Sequence, residues 1–140
     1  MSDQTFRINA GYILPVTSPV IQNGSILINN GRIQFIGRET DCPHSPQQVL
    51  SYPNHLLMPG LVNAHTHLSL SNLKNNIKGA IRFVDWIKEI ISHSSSMTDL
   101  DEKDAVKKGI KSLISSGTTT IGDISGSGVS MELMREMKVR

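Results

Sequence analysis

Two histidines separated by one residue, His65 and His67, are the pair in this 140-residue sequence best suited to metal chemistry. In an extended strand, side chains at i and i+2 leave the same face. Two imidazoles on one face can then meet a single ion at metal–nitrogen distances of about 2.0–2.1 Å, with Thr66 directed the other way. The bare spacing fits two solvated histidines equally well, so its meaning depends on what positions it. The other titratable candidates lack partners. His44 falls in a polar loop, His55 reads as a surface residue, and His93 sits near a helix end, none with a second ligand at metal spacing. Cys42 is a lone thiol before Pro43 and reads as a loop residue. Gly122, Gly126 and Gly128 do not form a dinucleotide-binding fingerprint.

The elements around the pair change character along the chain. The first third reads as short strands: Phe6 to Leu14, Ser25 to Ile28 and Arg32 to Ile36, with a further short strand at Val49 to Tyr52. Asn29-Asn30-Gly31 predicts a hairpin, because Asn and Gly accept positive φ. Arg38 to Gln48 is polar, carries two prolines and reads as a loop. From Leu57 to His65 the sequence is an apolar run containing a turn, the pattern of a strand covered on both faces. Phe83 to Ile91 has helical spacing. Thr98 to Ser116 is a second helix, with Thr98 and Asp101 as a capping pair and Gly117 as its stop. Thr118 to Ile121 is a β-branched strand, and Ser130 caps a last helix, Met131 to Lys138. The order strand, helix, strand, helix predicts parallel βα units. The β-branched strand is expected to keep one unpaired edge. Asp123, just beyond it, reads as a carboxylate holding backbone amides.

Composition excludes several classes. Fourteen Lys and Arg against twelve Asp and Glu give a net charge of +2, and aromatics make up 4% of the chain, so neither a basic surface nor a base-stacking platform for nucleic acid is present. The apolar stretch Leu56 to Val62 is broken by Pro59 and Gly60 and is far short of the ~20 residues that span a bilayer. One cysteine permits no disulfide within the chain, which together with the polar N-terminus predicts a cytoplasmic protein.

The string Met58-Pro59-Gly60-Leu61-Val62-Asn63-Ala64-His65-Thr66-His67-Leu68 closely resembles the first-strand signature of the amidohydrolase superfamily, and the β-rich segment before it is similar to that superfamily's small sandwich domain. The resemblance runs over essentially the whole chain. It is strongest toward deaminases and chlorohydrolases that act on amino-substituted heterocycles. Leu68-Ser69-Leu70-Ser71-Asn72-Leu73, Phe83-Val84-Asp85-Trp86-Ile87 and Ser116-Gly117-Thr118-Thr119-Thr120-Ile121-Gly122-Asp123 resemble stretches of aminofutalosine deaminase-like proteins, with methylthioadenosine and adenosylhomocysteine deaminases as the close alternative. Ser69 is a departure, since those proteins commonly carry an acidic residue there.

The resemblance implies an α/β fold: part of a small β-sandwich over residues 1–55, then an incomplete TIM (β/α) barrel over 56–140, holding its first two βα units. It implies a divalent metal, zinc or else iron, held by His65 and His67, and a small-molecule substrate contacted by Trp86 and Ser69. The activity implied is hydrolysis of a carbon–nitrogen bond, as in deamination of an amino-substituted purine nucleoside. The further ligands and the proton-shuttling carboxylates come from later strands in such enzymes. A full barrel takes about 250 residues, so the chain reads as an N-terminal fragment, inactive alone, with self-association allowed. The alternative is a non-catalytic remnant or the partner-binding half of a split assembly.

Overall fold

The computed structural model describes residues 5–44, 46, 48–74, 76–77 and 82–140. The chain divides into two compact units, residues 1–59 and 60–140.

The first unit is a four-stranded mixed sheet in the order β3-β2-β1-β4, built from β1 (Thr5–Ile13), β2 (Ile21–Asn29), β3 (Arg32–Arg38) and β4 (Gln48–Leu57). β1 pairs antiparallel with β2 and parallel with β4. The hairpin between β2 and β3 turns on Asn30 and Gly31, with φ of 48° and 74°. Positive φ at both central residues is the two-residue turn whose twist matches paired strands. β4 runs five residues past the strand expected at Val49 to Tyr52. Its residues Pro53 to His55 bulge out where the register with β1 shifts between Ala10 and Tyr12. Pro53 and Asn54 look like a strand end in sequence, yet β4 lies at the sheet's edge, where a proline is tolerated. Ala10, Ile13 and Ile26 form this unit's buried cluster, with Ile21, Ile28 and Leu57 against it.

The second unit contains a two-stranded parallel sheet, β5 (Leu61–Thr66) and β6 (Thr118–Asp123), with three helices, α1 (Phe83–Ser96), α2 (Asp99–Ser115) and α3 (Val129–Glu136). A 3-10 segment, Leu68–Leu73, follows β5. The apolar run expected as one strand is thus divided: Leu57 ends β4, and Met58-Pro59-Gly60 links it to β5. The run's apolar side chains are also less covered than expected, with Val62 67% exposed in this chain.

Each helix boundary has a local cause. α1 continues past Ile91 through its serines, because Ser95 and Ser96 hydroxyls donate to the carbonyls of Ile91 and His93. α2 opens on a complete capping box: the Asp101 N–H donates to the Thr98 hydroxyl, and the Thr98 N–H donates to the Asp101 carboxylate. Ser130 is not the cap of α3. The helix starts earlier, after Gly128 at φ 78°, and Ser125 and Ser127 hydroxyls accept from the Gly128 and Val129 amides while Ser130 is buried. α3 ends in a Schellman motif: Lys138 takes φ 55°, its N–H donates to Arg135, and the Val139 N–H donates to Met134.

Leu68, Val106, Ile110, Ile121 and Leu133 form the buried core of this unit, with Met134, Met137 and Val139 packed against it. Gly109 lets α2 lie close on the 3-10 segment, because a methyl there would come 2.8 Å from Leu68. The β6 edge expected to be unpaired carries backbone bonds. The Arg140 N–H donates to the Thr119 carbonyl at 3.2 Å and the Ile121 N–H to the Arg140 carbonyl at 2.6 Å. No helix among the described residues is long and apolar enough to cross a membrane.

Candidate metal centre

His65 is the penultimate residue of β5, and His67 follows the strand's last residue, Thr66. Their rings stand edge to face with centroids 5.3 Å apart. An ion about 2.1 Å from a ring nitrogen lies roughly 3.2 Å from that ring's centre, so two imidazoles on one tetrahedral ion have centres roughly 5.2 Å apart. The observed spacing is compatible with that arrangement, and both residues are exposed.

The strand that carries them is not regular. Asn63 pairs with Ile121 and Thr66 with Asp123, so Ala64 and His65 together face Gly122. Two residues opposite one make a β-bulge, which bends the strand and re-aims its side chains. Gly122 allows the close approach: a methyl on it would come 2.6 Å from the Ala64 carbonyl oxygen. The His65 N–H donates to the side-chain oxygen of Asn63 at 3.2 Å.

Beyond the pair, the turn is held from β6. The Asp123 carboxylate accepts from the Leu68 N–H at 2.8 Å, and the Ile124 N–H donates to the Thr66 carbonyl at 2.8 Å. Asp123 thus holds a backbone amide, as its position in the sequence suggests. Leu68 adds a second anchor, since its side chain is 1% exposed within the core. His67 is therefore preceded by a bonded strand end and followed by a buried, bonded residue.

The other sequence candidates have neighbours of their own. Trp86 is on α1 and stacks on Phe83 one turn earlier, with ring centroids 5.6 Å apart. Ser69 is half-buried in the 3-10 segment and borders a cleft of about 260 Å3 with Thr98, Glu102 and Ser127. His55 meets the Tyr52 ring in the first unit. Among the described residues, no group of three or more His, Cys, Asp or Glu side chains is assembled to hold an ion. Sequence reasoning missed Asn63 and Gly122. Their signal was present: an Asn two places before the first histidine, and a glycine interrupting a β-branched strand.

The family model described as "Amidohydrolase family" matches residues 56–139. A 5-methylthioadenosine/S-adenosylhomocysteine deaminase of Desulfitobacterium hafniense is 32% identical over 120 residues, covering 82% of this chain and 28% of the relative. The chain therefore spans little more than a quarter of that relative's length. Among solved structures, a zinc-bound adenosine deaminase from Xanthomonas campestris is similar with a TM-score of 0.87 at 23% identity, over 96% of this chain and 32% of that one. Helicobacter pylori aminofutalosine deaminase, in complex with methylthio-coformycin, is similar with a TM-score of 0.74 at 23% identity, over 93% of this chain and 32% of that one. The family match covers more than half of the sequence and includes both histidines and the bulged strand beneath them, and the chain belongs to the amidohydrolase family.

Proposed function

We propose that this chain is the N-terminal portion of a metal-dependent hydrolase of carbon–nitrogen bonds, with His65 and His67 as two of its metal ligands. In this reading residues 1–55 belong to a small sandwich domain, and residues 56–140 form the first two βα units of a TIM barrel. The single observation that carries it is the 5.3 Å spacing of the two rings at the C-terminal end of β5. Active-site residues of such barrels gather at that end of the strands. The uncovered apolar residues of β5 fit a strand whose neighbours lie elsewhere in a larger protein.

The reaction proposed is hydrolytic deamination of an amino-substituted purine nucleoside or related heterocycle. Support comes from the Desulfitobacterium relative, which is named for deaminating methylthioadenosine and adenosylhomocysteine. The metal is a divalent ion, with zinc favoured by the Xanthomonas structure and iron as the alternative. When bound, such an ion would lower the pKa of a water molecule to roughly 7, so that a nucleophile exists near neutral pH. His65 and His67 bind and orient it. Asp123 keeps His67 in place through Leu68, and Ser69 and Trp86 are the proposed substrate contacts. A catalytic zinc usually takes three protein ligands, so at least one more comes from outside these residues, with the proton-transferring groups.

The test is ammonia release from methylthioadenosine, together with elemental analysis of bound zinc. The 140-residue chain should show no turnover and only weak zinc retention, reduced further in His65→Ala and His67→Ala. Robust turnover by the isolated chain, or zinc retention untouched by both substitutions, would overturn this assignment.

A further inference from the structure

The bulge beneath His65 carries a consequence for the residue that satisfies it. A bulge leaves its extra residue without a partner in the ladder, and a nearby side-chain acceptor can fix the backbone there by a local hydrogen bond. Here the His65 N–H donates to the side-chain oxygen of Asn63, two residues earlier on the same strand. Asn63 is half-buried beside β6, and its own backbone is in register with Ile121. Gly122 closes the arrangement from the opposite strand, with space for no Cβ against the Ala64 carbonyl.

We propose that Asn63 is the positioning residue of the metal centre: its side-chain oxygen locks the Ala64–His65 bulge and so aims the His65 imidazole at the point His67 also reaches. This rests on the assignment of both histidines as ligands. Without the acceptor, the backbone at Ala64 and His65 loses a bond that fixes the shape of the bulge. A bulge sets the direction of its own residues, so its relaxation re-aims the His65 ring while the Leu68–Asp123 bond still holds the turn after His67. Asn63 touches no reacting atom and acts only through His65. The requirement is for an oxygen acceptor on a short side chain, which Asp provides and Ala does not.

The experiment titrates the full chain with zinc alone while the imidazole nitrogen resonances of His65 and His67 are followed separately, with amide hydrogen exchange at His65 as a second readout. In the wild type both rings should respond with one midpoint, and the His65 amide should be protected. Asn63→Ala should raise the midpoint by about tenfold or more, the range seen when a group that orients a metal ligand is removed. It should also uncouple the two rings and speed exchange at His65. Asn63→Asp should restore a common midpoint near that of the wild type. A folded Asn63→Ala chain that binds as the wild type does, or a folded Asn63→Asp chain as weak as the alanine variant, would overturn the proposal. Should Asn63→Ala not fold, restored fold and joint titration in Asn63→Asp support it, and an unprotected His65 amide in the wild type overturns it. A wild type in which neither ring responds to zinc overturns the ligand assignment itself, and the unsubstituted spectrum alone reveals that failure.

Discussion

Leu68 and Asp123 are joined across 55 residues of sequence by one hydrogen bond, 2.8 Å from backbone amide to carboxylate. It ties the residue after His67 to the end of β6, and so links the two strands of the second unit on the side where the histidines emerge. Removing Asp123 as Asp123→Ala should cost about 1–3 kcal/mol, the usual penalty for stranding a partly buried donor. Asp123→Asn keeps an oxygen acceptor and should cost less. Urea denaturation of the three proteins checks the order, and equal midpoints for all three would show that the bond contributes nothing.

Leu68 itself anchors the same turn from within. Its side chain is 1% exposed and packs with Val106, Ile110, Ile121 and Leu133. Leu68→Ala should destabilise the second unit by about 2–5 kcal/mol, the sum of lost burial and the void left behind. The His67 ring resonance should broaden or shift as well. Circular dichroism melts and histidine spectra read the two effects, and a loss below that range with a sharp His67 signal would count against the anchoring role.

The capping box of α2 predicts a pH dependence. The Thr98 side chain and the Thr98 amide both hold the Asp101 carboxyl below its ordinary value of 3.8. A carboxyl whose pKa is lowered by folding binds fewer protons in the folded chain, so its contribution is present above 3.8 and is lost as the pH falls through the lower folded value. Thr98→Ala should cost about 0.5–2 kcal/mol at neutral pH by removing the cap, and should flatten this acid limb. Stability curves at pH 7 and at pH 3 test it, and a gap between the two proteins that stays constant across the range would refute the coupling.

Lys138 occupies the left-handed position of the Schellman motif at the end of α3, with φ 55°. A side chain in that conformation costs roughly 1–2 kcal/mol that glycine avoids. Lys138→Gly should therefore stabilise the chain by about 1 kcal/mol, measured by urea titration. A loss of stability would mean that the lysine side chain makes a compensating contact.

The sequence discloses elements whose cause is local. The Asn30-Gly31 turn, the Thr98–Asp101 cap and the Gly117 stop each depend on a few adjacent residues, and each lies where its chemistry predicts. What sequence conceals is what depends on pairing. The extension of β4 past Pro53 follows from its place at the edge of the sheet beside β1, and the bulge at Ala64 and His65 from its register with β6. The spacing of His65 and His67 was legible as two residues on a strand, but the means of aiming them was not. That requires Gly122, more than fifty positions later.

The parallel pairing of β1 with β4 has a kinetic meaning. β1, β2 and β3 follow one another through short connections, and their pairings form locally. Phe6 meets Gln48 only after the whole of β2, β3 and the following polar segment has been threaded between them. Closing so long a loop is slow relative to hairpin formation, because its entropy is lost before the pairing returns anything. The meander should therefore gain amide protection first during refolding, with Val49 to Leu57 following as a separate, later phase. Until then β1 presents a bare edge, and that interval is when the chain is most exposed to pairing with a strand from another molecule.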